Sequence, residues 1–327
     1  MVNKQKQVAV IGAGAWGTAL SVALTRAGCH VVIWAFEEDV VQSINQAHEN
    51  TRYLPGITLP NSVTASHDVA VLVNAESLFW VVPAQHLRSV AVKMAMADIP
   101  NHVSHVICTK GIENKTNALM TEVLAESFPL HPKAVLAGPN FAEEVAAGSL
   151  AATTIACDNN KSAERIATLL RSNVLKVTTC DDVVGAQVCG TAKNVLAIAC
   201  GILMGMGYGE STKAAAITSG FHEIQALVKA KGGTGSSLIE FSGIGDLVLT
   251  CGSAKSRNMS LGFALGKGES LESLLSNRQS VAEGVASALS IHSMTDVLGV
   301  KLPLCEAVYQ VLYNNGHVED IARAVFS

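Results

Sequence analysis

Short apolar runs alternate with longer segments of helical periodicity through the first half of the chain. This alternation is typical of β-α-β units, in which parallel strands are connected by helices that pack on the sheet. The pattern therefore predicts a doubly wound sheet. The runs that predict its strands are residues 8–11, 30–34, 78–82, 103–108, 134–136, 151–156 and 175–179.

The pattern changes near residue 181, where helical periodicity becomes continuous and runs of β-branched residues become rare. Long segments with apolar positions at helical spacing predict a second domain that is mainly α-helical. We therefore predict a sheet domain at residues 1–182 and a helical domain at residues 183–327. The segments that predict its helices are residues 183–206, 213–231, 281–298 and 304–313.

Three glycines, Gly12, Gly14 and Gly17, separate the first predicted strand from a helical segment that Gly28 ends. In dinucleotide-binding units the first glycine permits a tight turn, the second lets a pyrophosphate approach the backbone, and the third allows close helix–strand packing. A glycine-rich turn without a ligand is the alternative. The second strand completes the unit within about thirty residues, which favours the dinucleotide interpretation. We therefore predict an α/β fold with an N-terminal, doubly wound, Rossmann-like sheet.

Composition narrows the classes of protein that fit this pattern. Only 15% of residues are charged, against 49% hydrophobic, which indicates a large buried fraction and an oligomer interface, and we expect a homodimer. The net charge of −4 provides no general basic field for nucleic acid. The eight cysteines include no C-x-x-C pair, which favours reduced thiols in a cytoplasmic enzyme.

Neither a targeting segment nor a membrane span is predicted. Residues 1–7 are polar and lead directly into a strand, unlike a signal peptide. The most apolar helical stretch, residues 195–206, is too short to cross a bilayer and is interpreted as a core helix. We predict no metal site.

Four clusters could carry chemistry, namely Lys110, residues 190–194, residues 242–250 and residues 256–258. Lys193 precedes the almost wholly apolar residues 195–200, so its charge needs a partner, and Asp246 is the natural one. A poorly solvated lysine near other cations has a lowered pKa, which suits proton transfer. Lys110 follows a predicted strand, although a solvated loop lysine is the usual case. Asp246 and Ser256 could also be simple helix caps.

The chain resembles the bacterial NAD(P)-dependent glycerol-3-phosphate dehydrogenases. The segments that carry the resemblance lie in family order and cover almost the whole chain. They are residues 12–20, 108–113, 137–142, 192–195, 243–247, 256–258 and 281–285.

The resemblance implies reduction of dihydroxyacetone phosphate to sn-glycerol 3-phosphate by NAD(H) or NADP(H), for phospholipid synthesis. It implies that Lys193 is the proton donor and acceptor. The catalytic residues that it implies are Lys193, Lys110, Asn194, Asp246 and Thr250. The substrate residues are Lys110, Gly138, Asn140, Lys193, Asp246, Ser256, Arg257 and Asn258. The cofactor residues are Gly12, Gly14, Ala15, Trp16, Gly17, Phe36, Lys110, Ala142, Arg257, Val281 and Glu283.

The chain departs from the family pattern at four positions. Asn140 replaces the serine or threonine usual in bacterial members, and Asn140 with Glu143 has the form of a capping box that opens a helix. Phe36 replaces a frequent arginine, so we hypothesise that NADH is at least as good a cofactor as NADPH. Ser219 and Ala286 also stand where arginine is common.

Two other functions remain open at this point. A related dehydrogenase of another small hydroxy acid would leave Arg257 and Asn258 without a phosphate to bind. A non-catalytic dinucleotide sensor would have no use for Lys110, Lys193 and Asp246 as a proton relay.

Overall fold

The computed structural model describes residues 6–276 and 283–326, and these form two compact units. The first comprises the described residues of 1–109 and 120–183, and the second those of 110–119 and 184–327. Residues 110–119 follow a strand and lie within the predicted sheet domain of residues 1–182. In the structure this segment belongs to the helical unit, where Ser290 Oγ donates to Ile112 O at 3.1 Å and Asn117 Nδ2 donates to Ser293 Oγ at 3.0 Å.

The first unit is built on an eight-stranded sheet with the order β10-β9-β8-β7-β6-β1-β2-β5, and β3 and β4 form a separate antiparallel pair. Its strands are β1 (Gln7–Ile11), β2 (His30–Trp34), β3 (Glu49–Asn50), β4 (Leu54–Thr58), β5 (Val63–Ser66), β6 (Ser77–Trp80), β7 (Ser104–Ile107), β8 (Lys133–Ala137), β9 (Ala151–Ala156) and β10 (Leu175–Cys180). Neighbouring strands are parallel except β8 and β9. The predicted fold class, a Rossmann-like α/β sheet followed by a mainly helical region, is confirmed.

Helices connect the strands of this sheet and then form most of the second unit. The helices of the first unit are α1 (Ala15–Arg26), α2 (Glu38–Gln42), α3 (Leu87–Met94), α4 (Met120–Ser127), α5 (Ala142–Ala147) and α6 (Asn160–Thr168). Those after β10 are α7 (Val183–Gly205), α8 (Glu210–Ala230), α9 (Asp246–Gly252), α10 (Arg257–Gly266), α11 (Leu271–Ser276), α12 (Glu283–Leu298), α13 (Pro303–Tyr313) and α14 (Glu319–Val325). The apolar pattern alone does not predict α9, α10, α11 or α14, because these helices have only 6 to 10 residues.

Helix α7 is the core of the second unit. It has 23 residues, so the expectation that its apolar stretch is too short to cross a bilayer is wrong. Within the described residues it is the one helix with enough length and apolar character to do so, and 94% of its most apolar window is buried inside the protein. This burial agrees with its interpretation as a core helix.

Helices α7 and α10 cross at four glycines, Gly201 and Gly205 on α7 and Gly262 and Gly266 on α10. A Cβ atom at these positions would lie 2.2, 2.3, 2.1 and 2.3 Å, respectively, from a backbone oxygen of the opposite helix. No side chain fits at such distances, so the two backbones are in direct contact. This close crossing fixes α10 against the C-terminal third of α7.

We expect His105, on β7, to make the first unit sensitive to acid. Its side chain is fully buried, and neither ring nitrogen has a hydrogen-bond partner among the described residues. The ring lies among aromatic neighbours, with its centroid 4.4 Å from that of Phe128 and 4.8 Å from that of His131. Burial lowers the pKa of His105 from 6.5 to about 3, and the positive fields of His131 and Lys133 add to this effect.

We expect His105→Phe to reduce the loss of stability in acid. The pKa of His105 is depressed in the folded state, so its contribution is fully present above pH 6.5 and is lost as the pH falls towards 3. At about 1.4 kcal/mol per pKa unit, the total loss is at most about 5 kcal/mol. Urea unfolding at pH 7, 5.5 and 4 measures it. The exposed-histidine control His102→Phe should match the parent, and an unchanged pH dependence in His105→Phe would contradict the assignment.

Candidate active site

The glycine turn after β1 has a backbone that only glycine adopts readily at its first position. Gly12 has φ = +113°, and a Cβ there would lie 2.8 Å from Val81 O. Its N–H donates to Trp34 O at 2.9 Å, which holds the turn at the end of β2. Strand β1 pairs with β2 on one side and β6 on the other, so the turn lies where the strand order reverses. Ligands bind at this position in open α/β sheets.

The other two glycines of the turn have opposite surroundings. A Cβ on Gly17 would lie 2.0 Å from Gly12 O, whereas a Cβ on Gly14 would meet no atom within 4 Å. Gly14 is the N-cap of α1, and no side chain caps the helix there. The backbone N–H groups at Ala15 and Trp16 therefore begin a helix beside open space, which suits an anionic ligand. These features fit the pyrophosphate of a dinucleotide.

Asn50 supports this turn, a role that its sequence context does not predict. Its side chain is fully buried, and its Nδ2 donates to Ala13 O at 2.7 Å and to Thr18 Oγ1 at 2.8 Å. The two bonds connect the β3–β4 region to the turn and to the first residues of α1. A single asparagine in a loop segment carries no sequence signal for this role, because its partners are set by the tertiary fold.

We expect Gly14→Val to abolish nucleotide binding without unfolding the protein. The added side chain would occupy the open space beside the helix N-terminus, where a pyrophosphate must touch the backbone. Gly14 has φ = −63° and ψ = 176°, which valine adopts without strain. Calorimetric titration with NADH, beside a thermal melt, measures both effects.

Gly17→Val is the matched control for this variant, because its Cβ collides with Gly12 O and should destabilise the fold itself. Unchanged NADH affinity in folded Gly14→Val would refute the pyrophosphate assignment.

The structure places other predicted cofactor residues as follows. Ala142 begins α5 and packs in one small apolar cluster with Ala15 and Trp16, so these three residues are brought together. Phe36 lies two residues beyond β2 with 79% of its surface exposed. Glu283 is the first residue of α12. Val281 lies outside the described residues.

Gly138 and Asn140 follow β8. A Cβ on Gly138 would lie 2.7 Å from Thr153 Cα, so this position admits only glycine against β9. Asn140 Nδ2 donates to Ala152 O at 3.0 Å, and its Oδ1 is buried without a partner among the described residues. The predicted capping box is wrong. The N-cap of α5 is Phe141, so the helix begins one residue too late for Asn140 to cap it.

Two lysines share one buried carboxylate in the helical unit. Lys193 Nζ, from α7, lies 2.5 Å from Asp246 Oδ1, and Lys110 Nζ lies 2.8 Å from Asp246 Oδ2. Asp246 is the first residue of α9, directly after a π-helical turn at Phe241–Gly245. The predicted pairing of Lys193 with Asp246 is confirmed. The cap interpretation of Asp246 is wrong, because the N-cap is Gly245 and the carboxylate binds the lysines.

The three charges differ in solvent exposure, and this sets their pKa values. The side chains of Lys193 and Asp246 are 5% and 2% exposed, and that of Lys110 is 25% exposed. Burial lowers the pKa of Lys193 to about 8, and the positive charge of Lys110 adds to the effect against the attraction of Asp246. For Lys110 the Asp246 carboxylate outweighs burial and raises the pKa. The two lysines outweigh burial at Asp246 and lower its pKa.

Thr250 completes the environment of Lys193. The lysine donates to Thr250 Oγ1 at 2.7 Å, and the threonine hydroxyl donates to Asp246 O at 2.6 Å. Asp246 and Thr250 lie one turn apart on α9, so this turn supplies two hydrogen-bond acceptors to Lys193. An ammonium group has three donors, and Asp246 and Thr250 accept two of them.

Two buried asparagines connect this cluster to α10 and α12. Asn258 Nδ2 donates to Asn194 Oδ1 at 3.0 Å, and Asn258 Oδ1 accepts from Gly284 N at 2.9 Å. This chain of bonds fixes the orientation of the Asn194 amide. Asn194 Nδ2 is buried and has no partner within the described part of the chain. The residue next to Lys193 therefore presents a donor that the described residues leave unsatisfied.

The start of α10 carries the other predicted phosphate residues. Ser256 is the N-cap, and its Oγ accepts from Met259 N at 3.3 Å, so the cap interpretation of this residue is confirmed. Arg257 follows as the first residue of the helix and is exposed. The structure thus groups Ser256, Arg257 and Asn258 at one helix N-terminus.

Comparison with known proteins connects both sites to one family. The family model described as NAD-dependent glycerol-3-phosphate dehydrogenase N-terminus matches residues 7–163, and the corresponding C-terminus model matches residues 182–323. A glycerol-3-phosphate dehydrogenase [NAD(P)+] of Parvibaculum lavamentivorans is 44% identical over 327 residues, which are 100% of this chain and 98% of that protein. The chain belongs to the NAD-dependent glycerol-3-phosphate dehydrogenase family.

Other members of the glycerol-3-phosphate dehydrogenase family agree in sequence and in structure. A member from Corynebacterium diphtheriae is 41% identical over 98% of this chain and 97% of its own. The crystal structure of the Coxiella burnetii glycerol-3-phosphate dehydrogenase superposes with a TM-score of 0.93 at 32% identity, with 99% of each chain covered. A ketopantoate reductase from Ralstonia eutropha, at 19% identity and a TM-score of 0.61, shares the fold alone. The predicted family is confirmed.

Proposed function

We propose that this protein reduces dihydroxyacetone phosphate to sn-glycerol 3-phosphate with NADH or NADPH and catalyses the reverse oxidation. The predicted cofactor class follows from the family, whose models are described as NAD-dependent and whose relatives are named for NAD(P)+. The observation that carries the proposal is the buried carboxylate of Asp246 between Lys193 and Lys110.

The proposed chemistry assigns separate tasks to the two lysines. The nicotinamide cofactor supplies the hydride when it is bound. Lys193 has a pKa of about 8, so it is mostly protonated at neutral pH yet releases its proton at modest cost, and it donates to the developing alkoxide. Lys110 keeps its charge and stabilises the negative oxygen. Asn194 Nδ2 is the third donor to this oxygen.

The substrate phosphate is assigned to the start of α10. Arg257 presents a planar fork of donors that matches a phosphate, and it lies in the first helical turn, where backbone N–H groups also favour an anion. Ser256 and Asn258 hold this turn in place. Gly138 and Asn140 are assigned to the substrate as well, the latter through its buried and unpartnered Oδ1.

We expect Arg257→Ala to raise KM for dihydroxyacetone phosphate strongly and to leave the slow reaction of unphosphorylated dihydroxyacetone unchanged. The phosphate is present in the ground state and in the transition state, so the lost contact weakens binding of both. Following NADH and NADPH oxidation with the two substrates measures the effect, and Lys255→Ala is the control for a nearby exposed cation.

If Arg257→Ala changed the kinetics of both substrates equally, Arg257 would not be the residue that binds the substrate phosphate. A parent enzyme that preferred an unphosphorylated hydroxy acid would favour the related dehydrogenase, and the absence of any turnover would favour the sensor.

The remaining proposals concern the context of the enzyme. The product would supply phospholipid synthesis. The homodimer, the cytoplasmic location and the absence of nucleic-acid partners and membrane spans stay predictions. Sedimentation equilibrium of the purified chain tests the dimer directly.

A further inference from the structure

We propose that Lys93 binds the 2′-phosphate of NADPH beside Phe36, and so supplies the cation that position 36 lacks. The inference rests on the proposed function in one respect, namely that the glycine turn binds a nicotinamide dinucleotide. It assigns a residue of α3 to cofactor choice. The residue types at the end of β2 alone would indicate NADH.

The position of Lys93 is the first observation. Strand β2 ends at Trp34, whose carbonyl oxygen accepts from Gly12 N at 2.9 Å in the glycine turn. In dinucleotide-binding units, residues at the end of this strand contact the 2′-position of the adenosine ribose, and an arginine nearby accommodates a 2′-phosphate. Lys93 Nζ lies 4.9 Å from the ring centroid of Trp34 and 6.0 Å from that of Phe36. The ammonium group is therefore held at the strand end where a 2′-phosphate requires a cation.

The charge of Lys93 is the second observation. Within residues 6–276 and 283–326 the lysine contacts these two rings and forms neither an ion pair nor a hydrogen bond. Rings hold an ammonium group without neutralising it, since their attraction comes from the quadrupole of the π system. An exposed cation on an aromatic platform keeps all three N–H donors for a ligand.

The third observation is that two acidic side chains close to Phe36 already bind other side chains of the protein. Glu37 Oε1 accepts from the Tyr53 hydroxyl at 2.8 Å, and Asp39 Oδ2 lies 3.3 Å from Arg52 Nη1. Hydrogen bonding and pairing reduce the repulsion that these carboxylates exert on a phosphate. Two of the three acidic residues at 37–39 therefore oppose NADPH less than the sequence suggests.

Phe36 gives the proposed site a second function. Its ring is 79% exposed, which leaves aromatic surface for stacking a base as well as for contact with Lys93. The adenine is common to both cofactors, whereas the 2′-phosphate belongs to NADPH alone. Substitution of Phe36 should therefore weaken both cofactors, and substitution of Lys93 should weaken only the phosphorylated one.

Binding of adenosine 2′,5′-bisphosphate and of AMP to the full chain tests the proposal without turnover. We expect Lys93→Met to weaken the bisphosphate about 10- to 100-fold in calorimetric titration, the range of a lost charge-assisted hydrogen bond, and to change AMP less than about 3-fold. Lys93→Arg should retain the preference. Lys161→Met, which removes an exposed lysine on α6, is the matched control.

Kinetics on the same variants complete the test. In Lys93→Met, kcat/KM for NADPH should fall by the same factor as the bisphosphate affinity, whereas kcat/KM for NADH should stay at the value of the parent. Added salt should weaken the binding of NADPH more than that of NADH in the parent protein. In Lys93→Met the two cofactors should respond to salt equally.

Three outcomes would overturn the proposal. In the first, Lys93→Met weakens binding of both nucleotides equally. In the second, it weakens binding of neither. In the third, Arg52→Met weakens binding of the bisphosphate but Lys93→Met does not. The nucleotide titrations need no substrate, so they stand even if the enzyme proves to act on something other than dihydroxyacetone phosphate. Failure of the proposed function and failure of this inference are therefore distinguishable.

Discussion

Lys193→Ala is expected to lower kcat by roughly two to four powers of ten, the usual contribution of a general acid or base. The substrate KM should change much less, because the proton moves only in the transition state. The protein should stay folded, since Asp246 keeps Lys110 as its counter-ion at 2.8 Å and is not left as an unpaired buried charge. Steady-state kinetics beside a thermal melt measure both effects.

The pH profile separates a proton relay from a structural role for this lysine. With a pKa of about 8, Lys193 is protonated at pH 7 and mostly neutral at pH 9. Carbonyl reduction needs the protonated form and should slow above pH 8, whereas alcohol oxidation needs the neutral form and should accelerate over the same range. Both inflections should vanish in Lys193→Ala. If the folded variant retains kcat within a few-fold of the parent, Lys110 must carry the proton instead.

Asp246→Asn is expected to destabilise the helical unit by about 3 to 5 kcal/mol and to reduce activity severely. The substitution leaves two neighbouring ammonium groups without their shared carboxylate, and breaking a buried ion pair on one side costs this much. Loss of the carboxylate should also lower the pKa of Lys193 further, which removes its proton at neutral pH. Urea unfolding and kcat measured across pH test both effects.

A double variant makes the Asp246 prediction specific. Adding Lys193→Met to Asp246→Asn removes the buried amine that has lost its counter-ion, so the double variant should be more stable than Asp246→Asn alone. A simple loss of packing predicts the opposite, because each change would then add to the damage. A double variant less stable than the single one would therefore refute the electrostatic account.

Local signals in the sequence were sufficient for the fold and for the central pair of charges. The three glycines and the apolar runs predicted the sheet, because a turn and a buried strand depend on residues adjacent in the chain. Lys193 predicted its own partner, because a charge beside an apolar helix segment must be neutralised. This requirement predicts that a partner exists, whereas the tertiary fold brings Asp246, 53 residues away, to the lysine.

Features that depend on distant contacts were not predictable in the same way. The transfer of residues 110–119 to the helical unit depends on bonds to α12, and the support from Asn50 depends on two tertiary partners. The predicted capping box at Asn140 is wrong because Phe141 is the N-cap of α5, while the Asn140 side chain bonds to Ala152 O on β9. The roles of the predicted site residues stay predictions.

The glycine crossing of α7 and α10 limits how this enzyme can adapt. In an ordinary helix pair, side chains form a compliant layer that absorbs a new methyl group by changing rotamer. Here the two backbones are in direct contact, so an added Cβ at Gly262 would lie 2.1 Å from Ile198 O, and no side chain between them could move to relieve the clash. The spacing from Asn194 to Asn258 is therefore set by peptide dimensions. A homologue that accepts a longer substrate would have to change the side chains at the tip of α10, because the helix itself has no room to slide.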